Sequence, residues 1–222
     1  MGFQFTEGNI KAFIGGDKLE TRRLFKKGEV LFGVLGMITP QVRYKTGKMK
    51  GGLPEYRLKW QVGREYSVIA GRTLGTAYYR MDGDDIELAH LTVGSGLRGS
   101  LTWLEYAKHA SIHGDGFAPL EALKTWQDIL VEHGRFQPLS YRITALRQES
   151  LQDITEAGAI AEAVEFDSDT GMYQHYTEGE YWCDTAVDSY QSQWDMLHAK
   201  TGNGWDTNPR VWVIGIERVQ NE

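Results

Sequence analysis

Short runs of hydrophobic and strand-forming residues, bounded by Gly or polar residues, lie toward both ends of the chain and predict β-strands. The predicted strands are Val30–Ile38, Tyr66–Ala70, Thr76–Met81, Ile86–Val93, Leu139–Ala145 and Val211–Val219. The sequence Asp82-Gly83-Asp84-Asp85 between two of them predicts a tight hairpin turn. The Gly- and Lys-rich stretch from Tyr44 to Glu55 and the Gly-rich stretch from Gly94 to Gly99 predict loops.

Other segments place hydrophobic residues three or four positions apart, which is the spacing of an amphipathic helix. Ile10, Phe13 and Ile14 predict a short first helix that ends at Gly15 and Gly16. Further helices are predicted at Leu101–Ile112, Pro119–His133, Thr155–Val164 and Asp184–Lys200. Strands at both ends with helices between them favour an α+β fold with a mixed, mostly antiparallel barrel over a doubly wound sheet.

The amino-acid composition indicates what kind of protein this is. The chain has 222 residues, of which 41% are hydrophobic and 24% charged, so one domain over residues 1–222 is the simplest expectation. A single cysteine, Cys183, excludes an intramolecular disulfide and fits a reducing compartment. The N-terminal residues lack the pattern of a signal peptide, and no apolar run is long enough to span a membrane. We therefore expect a soluble, cytoplasmic protein without membrane partners.

Charge is distributed unevenly along the chain, whose net charge is -6. Residues 1–62 contain 12 basic and 5 acidic residues, whereas the remainder contains 12 basic and 25 acidic residues. The net acidity argues against a protein that coats long nucleic acids, because such binding depends on neutralising phosphates. The basic first part predicts one localised anion-binding face, although chance clustering on a solvated surface is an equally good explanation.

Three segments carry a resemblance to a known family. Gly16–Arg23 (GDKLETRR) resembles a G-x-K-x-x-T-R-R motif, Leu151–Val164 a strand-to-helix segment ending in AEG, and Trp205–Val213 (WDTNPRVWV) a WD-x-NP-x-VWV ending. Their order and placement resemble the ASCH family of the PUA-like superfamily, especially its phage and prophage branch. The chain departs from the family in its length, about twice that of the minimal domain, and in Ala163, which stands where the family has glycine.

This resemblance implies a PUA-like mixed β-barrel decorated by helices, with a helix-rich elaboration over about residues 74–136. In small relatives that hydrolyse N4-acetylcytidine, the proposed catalytic set is a Lys, a Thr three residues later and a distant Glu. The matching residues are Lys18, Thr21 and Glu162. Other ASCH relatives are described as ribonucleases or RNA-binding modules.

The residue types suit amide hydrolysis. A desolvated lysine can remove the proton of a threonine hydroxyl, and a carboxylate can orient the lysine or pass a proton to the leaving amine. If Lys18 and Thr21 lie on a turn or helix end, their spacing puts them on one face. The alternative is a structural Thr cap and a surface Lys–Glu ion pair.

Three more residues are candidates for ligand binding. Arg22 and Arg23 have the planar fork that suits a phosphate or a base edge, but solvent-facing arginines are an equally good interpretation. Trp205 lies in a Gly-rich loop beside a family motif and is a candidate for base stacking. Most of the other tryptophans are better explained as core residues.

Rival motifs are weaker. Gly94–Gly99 matches G-x-G-x-x-G, but the preceding strand belongs to a predicted hairpin and no second β-α-β unit follows. Glu105, His109 and His113 have helical spacing, but Ala110 replaces the Glu that a zincin needs. Cys183 has no nearby His to activate it. We therefore expect no cofactor and no metal.

The sequence predicts an ASCH-type pocket protein that acts on a nucleoside or modified nucleobase, as an amidohydrolase of the N4-acylcytidine kind. Net acidity favours such a small ligand, or at most a short RNA, over long RNA. Two alternatives stay open. One is a non-catalytic module that binds RNA or modified DNA and has a continuous basic groove beyond the pocket. The other is a ribonuclease that uses the same basic motif.

Overall fold

The computed structural model describes residues 3–33, 39–50, 53–70, 76–92, 96–98, 136–176 and 182–219. The strands are β1 (Phe3–Phe5), β2 (Glu20–Leu24), β3 (Glu29–Phe32), β4 (Gln41–Lys50), β5 (Leu53–Gln61), β6 (Glu65–Ala70), β7 (Tyr78–Asp82), β8 (Asp85–Thr92), β9 (Gly96–Arg98), β10 (Gln137–Pro138), β11 (Ser140–Ser150), β12 (Phe166–Asp167), β13 (Met172–Gln174), β14 (Trp182–Cys183) and β15 (Arg210–Arg218). The α-helices are α1 (Glu7–Gly15), α2 (Glu156–Ala161) and α3 (Ala186–His198), and short 3-10 turns cover Leu151–Asp153, Ala199–Thr201 and Trp205–Thr207.

These elements form a mixed α+β fold in which strands predominate, which confirms the predicted class. The strands belong to several sheets, and within the described ranges no sheet closes into a barrel. Among the same residues, no helix is both long and apolar enough to cross a membrane.

The first of two compact units consists of Met1–Ile14, Glu65–Tyr141 and Arg218–Glu222. In this unit β1 pairs in parallel with β6, and β7 and β8 form an antiparallel hairpin flanked by β10 and β9. Phe5 of β1 and Phe13 of α1 are buried with their ring centroids 6.2 Å apart. The apolar stripe of α1 therefore forms a core of this unit.

The second unit consists of Gly15–Arg64 and Arg142–Glu217. Here β15 lies between β11 and β2 and pairs antiparallel with β2, while β3, β4 and β5 form an antiparallel sheet. Helices α2 and α3 contribute to one hydrophobic cluster with the strands. Its buried members are Leu151, Ile154, Ala159, Val164, Ala186, Tyr190, Trp194, Val211 and Val213. One face of β15 is thus covered by helices.

The structure confirms the predicted first helix, the Asp82–Asp85 hairpin turn, the strands around residues 66–70, 139–145 and 211–219, and the last two helices. The predicted strand Val30–Ile38 appears as β3, and residues 34–38 lie outside the description. The predicted loop from Tyr44 to Glu55 is wrong, because most of it belongs to strands β4 and β5. Gly47, at φ 80°, lies in a register shift between Lys45 and Met49, so β4 and β5 remain paired on both sides of the glycine.

Part of the predicted loop Gly94–Gly99 is also wrong, since Gly96–Arg98 forms strand β9 against β8. The helices predicted at 101–112 and 119–133, with Glu105, His109 and His113, lie outside the described residues, as does most of the predicted elaboration at 74–136. The single domain over residues 1–222 stays a prediction, because each compact unit is assembled from separated stretches of chain.

Candidate functional site

Lys18 and Glu162 form a buried ion pair in the second unit. The Nζ atom of Lys18 donates to Glu162 Oε2 at 2.9 Å and to the Glu162 carbonyl oxygen at 2.7 Å. The side chains are only 2% and 5% exposed. Two residues 144 positions apart in sequence are therefore brought together, as the family resemblance predicts.

Backbone hydrogen bonds fix the position of this pair. Lys18 comes just before β2 and Glu162 caps the C-terminal end of α2. The amide of Leu19 donates to the carbonyl of Ala161 at 2.9 Å, and the Leu19 carbonyl accepts from Ile216 at 2.8 Å. Lys18 is thus anchored through its neighbour to both α2 and β15.

Helix α2 is short and is followed, after its cap, by a strained residue. Thr155 caps its start, where the hydroxyl accepts from the amide of Gly158 at 3.1 Å. Ala163, directly after Glu162, has φ 61°. This left-handed conformation favours glycine over a residue with a Cβ atom. The departure noted in the sequence is therefore a point of backbone strain beside the site.

Arg22 joins the pair from β2. Its Nη1 donates to Glu162 Oε1 at 3.4 Å and to the Gly158 carbonyl at 3.3 Å. Its Nη2 lies 3.4 Å from Glu20 and 3.5 Å from Glu149. A Cβ atom at Gly158 would lie 2.9 Å from this Nη2, so the guanidinium occupies its present position beside α2 because residue 158 lacks a side chain.

Tyr190 of α3 covers the other side of the carboxylate. It is fully enclosed and makes a side-chain hydrogen bond to Glu162, and its ring centroid lies 5.9 Å from the Arg22 guanidinium carbon. Burial, with a smaller contribution from the Glu162 charge, raises the pKa of Tyr190 well above 10.0. The phenol therefore stays neutral and donates to the carboxylate.

Burial also changes the acidity of the lysine. Removal from water lowers the pKa of Lys18 below 10.5, and the contacts with Glu162 oppose this shift. Nearby Arg23 and Arg22 lower the pKa further. Such a lysine reaches its neutral, basic form more easily than a lysine in water, which is the property that a general base requires.

Thr21 is buried, but the strand directs it away from Arg22. Residues 20–24 form β2, so successive side chains point to opposite faces. Arg22 faces α2, and Thr21 and Arg23 share the other face with Trp212, which pairs with Arg23 across the sheet. Thr21 therefore lies in a strand and not on a turn or helix end, which was the condition for its spacing from Lys18 to put both side chains on one face. The catalytic role of Thr21 and the ligand-binding role of Arg23 stay predictions.

A second ion pair lies on that other face. Glu29 is buried, pairs with Lys59 and accepts a hydrogen bond from Trp212 Nε1 at 2.7 Å. The amide of Lys26 donates to the same carboxylate at 3.1 Å. Glu29 is thus held by three donors, an arrangement that suits a structural role.

Trp205 lies near the site but packs into the core. It begins the 3-10 turn Trp205–Thr207, is partly buried against the hydrophobic cluster, and meets Tyr190 edge-on with centroids 6.5 Å apart. Its amide donates to Asp195 at 2.7 Å. Its predicted role as a stacking platform stays a prediction.

Sequence reasoning missed Tyr190 and the two carboxylates beside Arg22. Tyr190 occupies an ordinary apolar position of α3, and its spacing carries no signal of contact with Glu162. Glu20 and Glu149 form ion pairs with Arg147, whose Nη1 lies 2.7 Å from Glu20. Glu20 lies two positions from Arg22 and Glu149 two positions from Arg147, but the contacts that link the two strands, Arg147 with Glu20 and Arg22 with Glu149, each span 127 positions and carry no local signal.

No protein-family model, curated protein or solved structure matches this chain. Within the described ranges, no group of three His, Cys, Asp or Glu side chains is arranged to hold a metal ion. The ASCH resemblance stays a prediction that rests on the three motifs.

Proposed function

We propose that this chain is an ASCH-type pocket protein that hydrolyses an amide of a nucleoside or modified base, with Lys18 and Glu162 as the proton-transferring pair. The observation that carries the proposal is the buried contact of Lys18 Nζ with Glu162 Oε2 at 2.9 Å, supported by Arg22 and Tyr190. A lysine with a lowered pKa beside an oriented carboxylate has the acid–base character that amide cleavage needs.

In the proposed reaction, the neutral amine of Lys18 accepts the proton of an attacking hydroxyl as its oxygen bonds to the acyl carbon. The C–N bond then breaks, and the proton passes to the leaving amine. Attack by water gives the carboxylic acid directly, whereas attack by a threonine leaves an acyl ester that a water molecule then hydrolyses. Glu162 holds the ammonium form and accepts hydrogen bonds from Arg22 and Tyr190, which fix its orientation.

Two attacking groups fit this scheme. Thr21 is the nucleophile that the resemblance implies, but its face of β2 is opposite to that of Arg22. Attack by water instead would need no change in β2, because no side chain of that strand has to turn toward Lys18. Because the Lys18–Glu162 pair is nearly inaccessible, a substrate can reach it only if residues that cover the pair move. We expect this movement at the strained Ala163, directly after α2.

The test is release of acetate from N4-acetylcytidine by purified protein. We expect Lys18→Met and Glu162→Gln each to lower kcat by about 100-fold or more, because both remove a proton-transferring group. Lys59→Met is the matched control, since it breaks a second Lys–Glu pair in the same unit. It should reduce thermal stability while leaving kcat within about threefold of wild type.

Thr21→Ala separates the two nucleophiles. Loss of turnover as complete as in Lys18→Met identifies the threonine, and retained turnover identifies water. Absence of wild-type turnover on acylated cytidines, or equal losses in Lys18→Met and Lys59→Met, would contradict the hydrolase proposal. A labelled RNA included in the same assay tests the ribonuclease alternative.

Binding without catalysis is a second candidate function, favoured by the basic residues of the second unit. Lys26, Lys27, Lys45 and Lys48 are exposed, whereas Lys18 is enclosed. Such a module would bind nucleic acid on its surface and leave the Lys18 pair as a structural contact.

A further inference from the structure

One face of the β3–β4–β5 sheet combines aromatic rings with cations. We call it the basic–aromatic face; its members are Phe32, Arg43, Lys45 and Tyr56. The guanidinium carbon of Arg43 lies 5.3 Å from the Phe32 ring centroid, and the rings of Phe32 and Tyr56 meet edge-on at 5.8 Å. Lys45 is exposed and pairs with Tyr56 across the ladder.

Strand alternation confirms that these side chains share one face. Gln41, Arg43 and Lys45 are alternate residues of β4, and Arg43 Nε donates to Gln41 Oε1 at 3.0 Å. Phe32 is opposite Gln41, and Tyr56 is opposite Lys45. Val42, Tyr44 and Trp60 point to the other side, where Val42 and Trp60 are buried.

The acidic residues of these strands do not share the face. Glu29 is buried and ion-paired with Lys59. Glu55 alternates with Tyr56, so it lies on the other face, where it contacts Thr46 and has Arg57 at 3.9 Å. The basic–aromatic face therefore carries positive charge without carboxylates from its own strands.

Additional cations border it. The turn before β3 contains the exposed Lys26 and Lys27, and the carbonyl of the following Gly28 accepts from the Lys45 amide at 3.0 Å. Lys48, farther along β4, is also exposed. Exposed cations near partly exposed rings are the combination that binds a phosphate backbone while bases stack.

We propose that the basic–aromatic face binds a short single-stranded polynucleotide, with Tyr56 and Phe32 stacking on bases and Arg43, Lys45 and the adjacent lysines contacting phosphates. It shares no residue with the Lys18–Glu162 pair, so it does not depend on the proposed hydrolase; it rests on the second candidate function, which it deepens by naming the face, the aromatic contacts and the single-stranded ligand. A small number of phosphate contacts is compatible with an acidic protein, because only local charge is required.

The test is fluorescence anisotropy with a labelled mixed-sequence strand of about eight nucleotides, prepared as RNA and as DNA. We expect saturable binding. A plot of the logarithm of the association constant against the logarithm of the salt concentration should have a slope of about -2 to -3, as a few phosphate contacts give. Lys45→Ala should weaken binding several-fold and make the slope shallower by about 0.7.

Two further variants test whether binding depends on base stacking and on this particular face, and not only on the net charge of the protein. Tyr56→Leu should weaken binding by about tenfold without changing the slope, because it removes a ring and no charge. Arg57→Ala is the matched control: Arg57 is 60% exposed in the same hairpin but lies on the other face. It should alter affinity by less than about twofold.

Preference for the RNA or the DNA strand identifies the natural ligand, and either preference supports the proposal. Circular dichroism confirms that each variant keeps its fold. The proposal is overturned if neither strand binds at about 20 mM salt. It is equally overturned if Arg57→Ala weakens binding as much as Lys45→Ala, if Tyr56→Leu has no effect, or if a duplex of the same sequence binds as tightly.

Discussion

Replacing Ala163 by glycine should stabilise the protein, although it removes a methyl group. Ala163 has φ 61°, and the left-handed conformation costs a residue with a Cβ atom about 1–2 kcal/mol. Glycine avoids this cost but gains freedom in the unfolded chain, which opposes folding by about 0.5–1 kcal/mol. The free energy of unfolding should therefore rise by about 0.5–1 kcal/mol.

The measurement is urea unfolding followed by tryptophan fluorescence, with the midpoint compared at constant slope. Ala157→Gly is the control, because Ala157 is exposed within α2 and its backbone is helical. There the same substitution should reduce the free energy of unfolding by about 0.5–1 kcal/mol. Equal destabilisation by the two variants would refute the assignment of strain to Ala163.

Two further predictions concern the neighbours of Glu162. Gly158→Ala should lower the free energy of unfolding by up to about 2 kcal/mol in the same assay, because the crowding of the new Cβ, 2.9 Å from Arg22 Nη2, costs about 1–3 kcal/mol and the better helix propensity of alanine offsets about 1 kcal/mol of it; a raised midpoint would mean that Arg22 moves without cost. Tyr190 has a raised pKa, so its contribution to stability is complete below pH 10.0 and is lost as pH rises through its folded pKa. Tyr190→Phe should remove this alkaline loss, and an identical decline above pH 10.0 in both proteins would contradict the raised pKa that burial gives Tyr190.

The elements that sequence predicted correctly are those with local signals. The stripe formed by Ile10 and Phe13 specifies α1, and the turn at Asp82–Asp85 specifies its hairpin. The segment from Tyr44 to Glu55 was misjudged because its glycines and lysines are typical of loops, whereas cross-strand pairing overrides that local preference.

Only those residues of the candidate site that lie within the three sequence motifs were predicted. They paired Lys18 with Glu162, which meet in the structure. Nothing local predicts that Tyr190 reaches the same carboxylate, since its helical position is that of a core residue. The face of Thr21 depends on whether residues 20–24 form a turn or a strand, and spacing alone does not decide this.

The ion pairs around Arg22 continue outward to the partly exposed Arg147. Lys18, Arg22 and Arg147 provide three cations, and Glu162, Glu20 and Glu149 provide three carboxylates, each in contact with the opposite sign. The group as a whole is electrically neutral, so six ionisable side chains share a small volume without net charge. Any single replacement of a charged member by a neutral residue leaves an unbalanced charge beside the helix. Divergence at these positions should therefore proceed by compensating pairs, such as Glu149 together with Arg147, while Lys18 and Glu162 change only in concert.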